Sequence, residues 1–420
     1  MQPEEGPEIM ARSARSAYVA PDENAIFFIR CRTTRALILP PGQRGSAADT
    51  HRVRYIEDLI RHFASHFGVA VHAHAVTQRE MRLVLQSRPD VVAAMDDTQI
   101  ARCWLSICPT LRRGRGRSGE PTEEEVLAVR SNPSRIAQIR NQISNISWWM
   151  RLLKQRITQL CNREEDTEGS FWVGRYRAVL LLDGTAHLAA LANVDLAAVD
   201  VRDGQPVSAG IFTSALYRQA DSQDSGTPQP DSVQAGGLER ENGSAQVPMP
   251  APPEETEDIA KTPSAFAATP HAAAPTPAVS VESASPNTPD RPCSRHLSPI
   301  RHSDEAADTV PLAAGFQHSR CSDDSALNMT LSDYRKLLAY TRRGCHAELD
   351  EGHSSEISPQ ISELQLTDIA WVHLVGCFDD LFSHVAGRPA EMDAYIPRSG
   401  RPRAYVRPAA RALFRSASAF

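Results

Sequence analysis

The sequence predicts an α+β fold for its first half, built as strand, helix, strand and strand, then a long helix and one more strand. Three observations carry this. Ala25–Arg32 is a short run rich in Ile and Phe, and residues 69–76 and 81–85 are two further apolar runs around a polar stretch, Thr77 to Glu80. Between the first run and the second, Val53, Ile56, Leu59, Ile60, Phe63 and Phe67 recur at helical spacing before Gly68. Over residues 135–163, Ile136, Ile139, Ile143, Ile146, Met150, Leu153, Ile157 and Leu160 step by three or four without a Pro or Gly. This order is the pattern of a ferredoxin-like βαββαβ sandwich.

Each element has its own signal. Pro40-Pro41-Gly42 marks a loop before the first helix, and Gln78-Arg79 the turn of a hairpin. Thr122 followed by Glu123-Glu124-Glu125 gives a cap and an acidic first turn. A strand is expected over residues 171–182 and a helix over 185–198. Residues 330–343 start a C-terminal helix, with Thr330 or Ser332 as cap. A second helix is expected over 366–385, before Gly387-Arg388-Pro389 and an Arg-rich tail.

Charge divides the chain. Residues 1–203 hold 27 Lys/Arg against 24 Asp/Glu, residues 204–326 hold 7 against 16, and residues 327–420 hold 11 against 11. Sixteen of the 30 prolines lie between Pro206 and Pro311, so the acidity and the proline sit together in one segment poor in large apolar residues. Such a segment buries too little surface to offset chain entropy, and disorder is expected there. The expected layout is a flexible tail over 1–19, a folded domain over 20–203, a disordered acidic Pro/Ser/Ala-rich linker over 204–326 and a small helical region over 327–420. Met10 is a candidate alternative start. No apolar run is long enough for a membrane span, and the eight cysteines form no Cys-x-x-Cys pair, so a membrane partner and a zinc ribbon are not expected. Scattered thiols suit a reducing cytoplasm.

Several groups are candidates for chemistry. His72-Ala73-His74 on a strand could chelate a divalent ion, since residues i and i+2 share a face. With Gln78-Arg79 as the turn, residue 75 pairs with 82 and 74 with 83, which turns His72 and His74 away from Glu80 and Arg82. The basic loop of Arg112, Arg113, Arg115 and Arg117 could grip phosphates. Trp148-Trp149 could stack bases or fill the core. Residues 101–163 hold 12 Lys/Arg against 4 Asp/Glu, a local basic excess.

A longer pattern is more specific. Asn145-Ile-Ser-Trp-Trp-Met-Arg151, Cys161-Asn-Arg-Glu-Glu-Asp166, Gly169-Ser-Phe-Trp-Val-Gly-Arg-Tyr-Arg177 and Leu180-Leu-Leu-Asp183 together resemble the REP-associated tyrosine transposases. These belong to the insertion-sequence-200-like group of HUH single-strand transposases, a bacterial family. The likeness continues upstream through Ala75 to Leu85, and downstream in Leu331 to Leu338 and Ala386 to Pro389.

The resemblance implies a ferredoxin-like HUH domain in which two strand histidines bind Mg or Mn and a helix tyrosine attacks the scissile phosphate. In this chain the matching positions are Glu80 and Arg82, and the nucleophile position falls at or within one residue of Arg156; residues 135–163 contain no tyrosine. Arginine offers no lone pair to a metal. The expectation is therefore a transposase-family DNA-binding protein with a degenerate centre, needing no cofactor and bound to single-stranded or hairpin DNA. It would be cytoplasmic, nucleoid-associated when bound, and a homodimer is compatible with the family. Candidate phosphate contacts are Arg112, Arg113, Arg115, Arg117, Arg151, Lys154, Arg156, Arg175 and Arg177. An active enzyme using displaced residues, with Tyr176 as the nearest tyrosine, and a non-catalytic interaction module or relic are the other classes left open.

Overall fold

The computed structural model describes residues 19–38, 46–108, 120–197, 326–346, 364–395 and 407–415, with short pieces at 212–214, 296–298, 300–301 and 361. It is a mixed α/β structure around one six-stranded mixed sheet. The first strand, β1 (Ala25–Arg32), leads to helix α1 (Ser46–His66), then to the hairpin β2 (Val69–Val76) and β3 (Glu80–Ser87). Four helices follow: α2 (Pro89–Ala94), α3 (Asp97–Ile107), α4 (Glu123–Arg130) and α5 (Pro133–Ile143). Then come α6 (Ile146–Glu165), β4 (Arg177–Leu181) and α7 (Gly184–Asp195). The later elements are β5 (Phe212–Thr213), β6 (Ile300–Arg301), β7 (Leu327–Thr330), α8 (Leu331–His346), α9 (Asp368–Gly376), α10 (Phe378–Leu381), β8 (Val385–Ala386), α11 (Pro389–Ala394) and α12 (Pro408–Arg415).

Strand order is β5-β2-β3-β1-β4-β8. β1 lies between β3 and β4, antiparallel to both, and β2 is antiparallel to β3 and β5; among the described strands of this sheet only β8 runs parallel to its neighbour, β4. Because side chains alternate along a strand, β1 offers Phe28 and Arg30 to one face and Phe27 and Ile29 to the other. One face carries α7, α9 and α10, where Phe28 meets Phe378 edge-on at 5.1 Å between ring centroids. The other carries α1, α3, α5 and α6, where Phe63 packs edge-on against the fully buried Trp149.

Three expectations change. The periodic stretch 135–163 is two helices, not one. Asn145 accepts a hydrogen bond from the Ser147 N–H with its side-chain oxygen, and this cap starts α6 afresh after Ser144. The apolar period survives the break because both helices turn the same stripe to the core. The expected strand over 171–182 shortens to Arg177–Leu181, since Gly169 and Gly174 take positive φ and leave only a bridge between Thr33 and Trp172. The expected helix over 366–385 ends at Gly376 and is followed by the short α10. Val385 and Ala386 become a strand beside β4.

Thr122 is the cap of α4, in a capping box with Glu125, and Thr330 accepts from the Asp333 N–H at the start of α8. Most of the acidic segment lies outside the described residues. The pieces of it that are described pack on the domain: Phe212 and Thr213 pair with β2, the Ser298 N–H donates to the Val71 carbonyl, and Leu297 and Ile300 are buried. Residues 364–386 likewise belong to the sheet domain's core rather than standing apart, through Trp371, Phe378, Phe382 and β8.

Candidate functional site

Register brings three arginines into a row across the sheet. Arg30 of β1 faces Arg82 of β3 on one side and Arg177 of β4 on the other, all on the face covered by α7 and α10. Three neighbouring guanidinium groups would repel each other without carboxylates between them. Glu80 and Asp379 supply these. Arg30 reaches Glu80 at 2.5 Å and Asp379 at 2.9 Å, Arg82 pairs with the other Glu80 oxygen, and Arg177 meets Asp379 at 3.4 Å. Arg82 also donates to the Asn193 side-chain oxygen at 3.0 Å, while Arg177 donates to the carbonyls of Asp379 and Phe382.

Glu80 is 13% exposed and Asp379 11%, so these pairs are only slightly screened by water. Burial works against the charged Glu80, but Arg82 and Arg30 outweigh it and hold its carboxyl below the usual range. Arg30 is correspondingly raised: burial pulls it down, and Glu80 and Asp379 more than compensate. A divalent ion does not fit here. Both Glu80 oxygens are taken by guanidinium groups, and the flanking side chains are cations.

The His72-Ala73-His74 run lies next to this cluster in an unforeseen way. Ala75 pairs with Arg82 and His74 with Leu83, as the turn residues predicted, but a bulge then interrupts the ladder between Val71 and Ala73. The extra residue is His72. It turns onto the α7 face, where Nδ1 lies 2.9 Å from Nε2 of His187 and Nε2 lies 3.1 Å from the Gln86 side-chain oxygen. So His72 shares a face with Glu80 and Arg82 after all, because one inserted residue reverses the alternation that strict pairing dictates. His74 is fully buried, its ring 5.2 Å from that of His296. Among the described residues no group of three or more His, Cys, Asp or Glu is arranged to hold a metal.

The candidate phosphate contacts are not one surface. Arg112, Arg113, Arg115 and Arg117 lie outside the described residues. Arg177 is turned into the cluster just described. Arg156 points inward from α6 to the Ile107 carbonyl and lies over the Phe63 ring at 4.9 Å, on the opposite side of the sheet from Glu80 and Arg82. Burial lowers its pKa, with Cys108 and Tyr55 opposing. The three positions that the family resemblance groups as a catalytic centre are thus not brought together.

Three of the candidates do remain near the surface, and two are exposed. Arg151 is exposed and lies over the Trp148 ring at 5.0 Å. Lys154 donates to the Gly174 carbonyl at 3.0 Å and lies over Trp172 at 5.2 Å and Tyr176 at 5.9 Å; burial lowers its pKa. Arg175 is exposed on the loop between Gly174 and β4. Sequence reasoning missed Trp104 and Arg135. Trp104 of α3 meets Trp148 edge-on at 6.4 Å, and Arg135 of α5 covers Trp104 at 5.1 Å. It also missed Arg30, Asn193 and Asp379, which only strand register and the docking of α10 bring to Glu80. A strand pattern with charged residues at alternate positions, Arg30 and Arg32, was the available signal.

No family model, no curated protein and no solved structure matches this chain. No described helix is long and apolar enough to cross a membrane.

Proposed function

We propose that this protein is a DNA-binding member of the single-strand transposase family that holds DNA without cutting it. Two lines support the fold part of this reading. The order β2-β3-β1-β4, antiparallel throughout, with α1 after β1 and α6 before β4 on the same face, fits the arrangement of a ferredoxin-like βαββαβ sandwich. The sequence resemblance falls on part of those elements: the end of β2, β3, α6 and β4.

The observation that carries the loss of cleavage is the ion-pair cluster. Where two metal histidines are expected, Glu80 and Arg82 neutralise each other and tie into Arg30, Asp379 and Asn193. Both Glu80 oxygens are held by guanidinium groups, Arg82 offers a metal no lone pair, and no tyrosine lies on α5 or α6. DNA binding is supported by the cations on and beside the outer face of α6: Arg151 and Arg175 are exposed, Lys154 is half-buried, and none of the three pairs with a carboxylate among the described residues.

The test is a gel shift with hairpin-bearing single-stranded DNA over a range of salt, and incubation of the same DNA with Mn²⁺. Binding should weaken with salt, and changing Arg151, Lys154 and Arg175 together to Gln should flatten the log–log slope by about two units, at roughly 0.7 per lost contact. A covalent adduct on a denaturing gel would overturn the non-cleaving reading. Wild-type protein that shifts no DNA would overturn the binding reading.

A further inference from the structure

We propose that the outer face of α3, α5 and α6 is a stacking site for unpaired bases, so that the ligand held there is a single strand recognised through its base faces. This rests on the DNA-binding reading above and adds the chemistry of selection. Trp148 and Trp104 are both partly open to solvent, while their neighbour Trp149 is completely buried against Phe63. Two large aromatic rings are thus kept at the surface beside a core that absorbs the third. Their centroids are 6.4 Å apart at 73°, and each carries an arginine on its face: Arg135 over Trp104 and Arg151 over Trp148.

Among the described residues no carboxylate pairs with the two arginines that cover these rings. Residues 135–163 contain no Asp or Glu. The nearby carboxylates of α3 and its cap are engaged elsewhere: Asp97 pairs with Arg140, and Asp96 accepts from the Gln99 N–H. Among the described residues neither Arg135 nor Arg151 has a carboxylate partner, whereas Arg30, Arg52, Arg82, Arg140 and Arg177 all do. Partly open aromatic faces beside cations that no described carboxylate pairs with match a strand whose bases are flat and whose backbone is anionic. A duplex hides its base faces, so it satisfies the arginines and leaves the tryptophans unused. An acidic peptide does the same. When a base takes the Trp148 face, the Arg151 guanidinium is displaced from the ring to the adjoining phosphate, so one residue pair serves both parts of a nucleotide.

The experiment uses the full chain with a short oligothymidylate, an abasic strand of equal length and charge, and polyglutamate. Wild type should bind the thymidylate roughly tenfold more tightly than the abasic strand, the scale of one to a few stacked bases. Trp148→Ala should remove most of that preference with the salt slope unchanged, Trp148→Phe should keep most of it, and Trp104→Ala should act in the same direction as Trp148→Ala. Arg151→Gln should instead lower the salt slope by about 0.7. Equal wild-type affinity for thymidylate and abasic strand would overturn the proposal, even if Trp148→Ala failed to fold. So would a Trp148→Ala loss equal for both strands, or polyglutamate binding as tight as thymidylate. Wild type that binds no strand at all refutes the DNA-binding reading itself, so the two failures are distinct.

Discussion

Replacing Glu80 by glutamine keeps the shape of the side chain and removes the charge that holds Arg30 and Arg82 together. Breaking one partner out of a buried pair costs about 3–5 kcal/mol where the remaining charge is left without compensation. That figure is too large here, for reasons visible at the site. Arg30 and Arg82 are 27% and 22% exposed, so water screens part of the loss. Arg30 keeps Asp379, Arg82 keeps Asn193, and the amide oxygen of the introduced glutamine still accepts one hydrogen bond. About 2 kcal/mol remains, equivalent to a fall in Tm of roughly 4–8 °C for a domain of this size.

The pH dependence gives the sharper test. Glu80 is held below its ordinary value when folded, so its contribution is fully present above the unfolded carboxyl value of about 4.3 and disappears as pH falls through the folded value. Urea melts of wild type and Glu80→Gln should therefore differ most at pH 7 and converge below about pH 4. A variant as stable as wild type at neutral pH, or a deficit that persists unchanged in acid well below the carboxyl range, would refute the account of this cluster.

Two further outcomes follow from local geometry. Burial, then His66, lower the pKa of His62 to about 4, while the hydrogen bond to the Ser106 carbonyl opposes this only in part. The unfolded chain takes up that proton near pH 6.5, so stability should fall as pH drops from about 6.5 towards 4. His62→Gln should flatten a pH series of urea midpoints by on the order of 2 kcal/mol across that window. Asp183 caps α7 by accepting from the Ala186 N–H at 2.8 Å and also accepts from the Arg388 N–H, tying the start of α7 to the end of β8. Asp183→Ala should cost about 2 kcal/mol and expose residues 385–395 to protease, while Asp183→Asn should retain most of the stability.

How much could be read without the structure follows a physical division. Element type was legible wherever one chain segment sets its own burial: the AIFFIRCR run of β1, the apolar runs of the hairpin, the stripe Val53 to Phe67. The hairpin register near the turn was legible too, because Gln78-Arg79 fixes the pairing of Ala75 with Arg82. The bulge at His72 was not, since a strand that is buried along its whole length gives no polar alternation from which an inserted residue could be detected. The break between α5 and α6 was hidden for a related reason: the apolar period continues across it, and the signal was a lone Asn145 cap.

The site shows the same division more strongly. That Glu80 and Arg82 follow the hairpin turn, and that residues 135–163 contain no tyrosine, are properties of the sequence alone. That Trp149 is core and Trp148 surface depends on which side of α6 meets α1. The pairing of Arg30 with Glu80 and Asp379 depends on residues 349 positions apart meeting on one sheet face, and no local pattern encodes such a meeting. The same holds for Arg156, which the sequence places on the polar side of a helix and the packing turns inward over Phe63. The sequence by itself determined which charges and aromatics this protein carries and on which elements they lie. Only the tertiary structure decided which of those charges cancel and which, among the described residues, have no carboxylate partner, because cancellation needs partners within a few ångströms and chain distance says nothing about that.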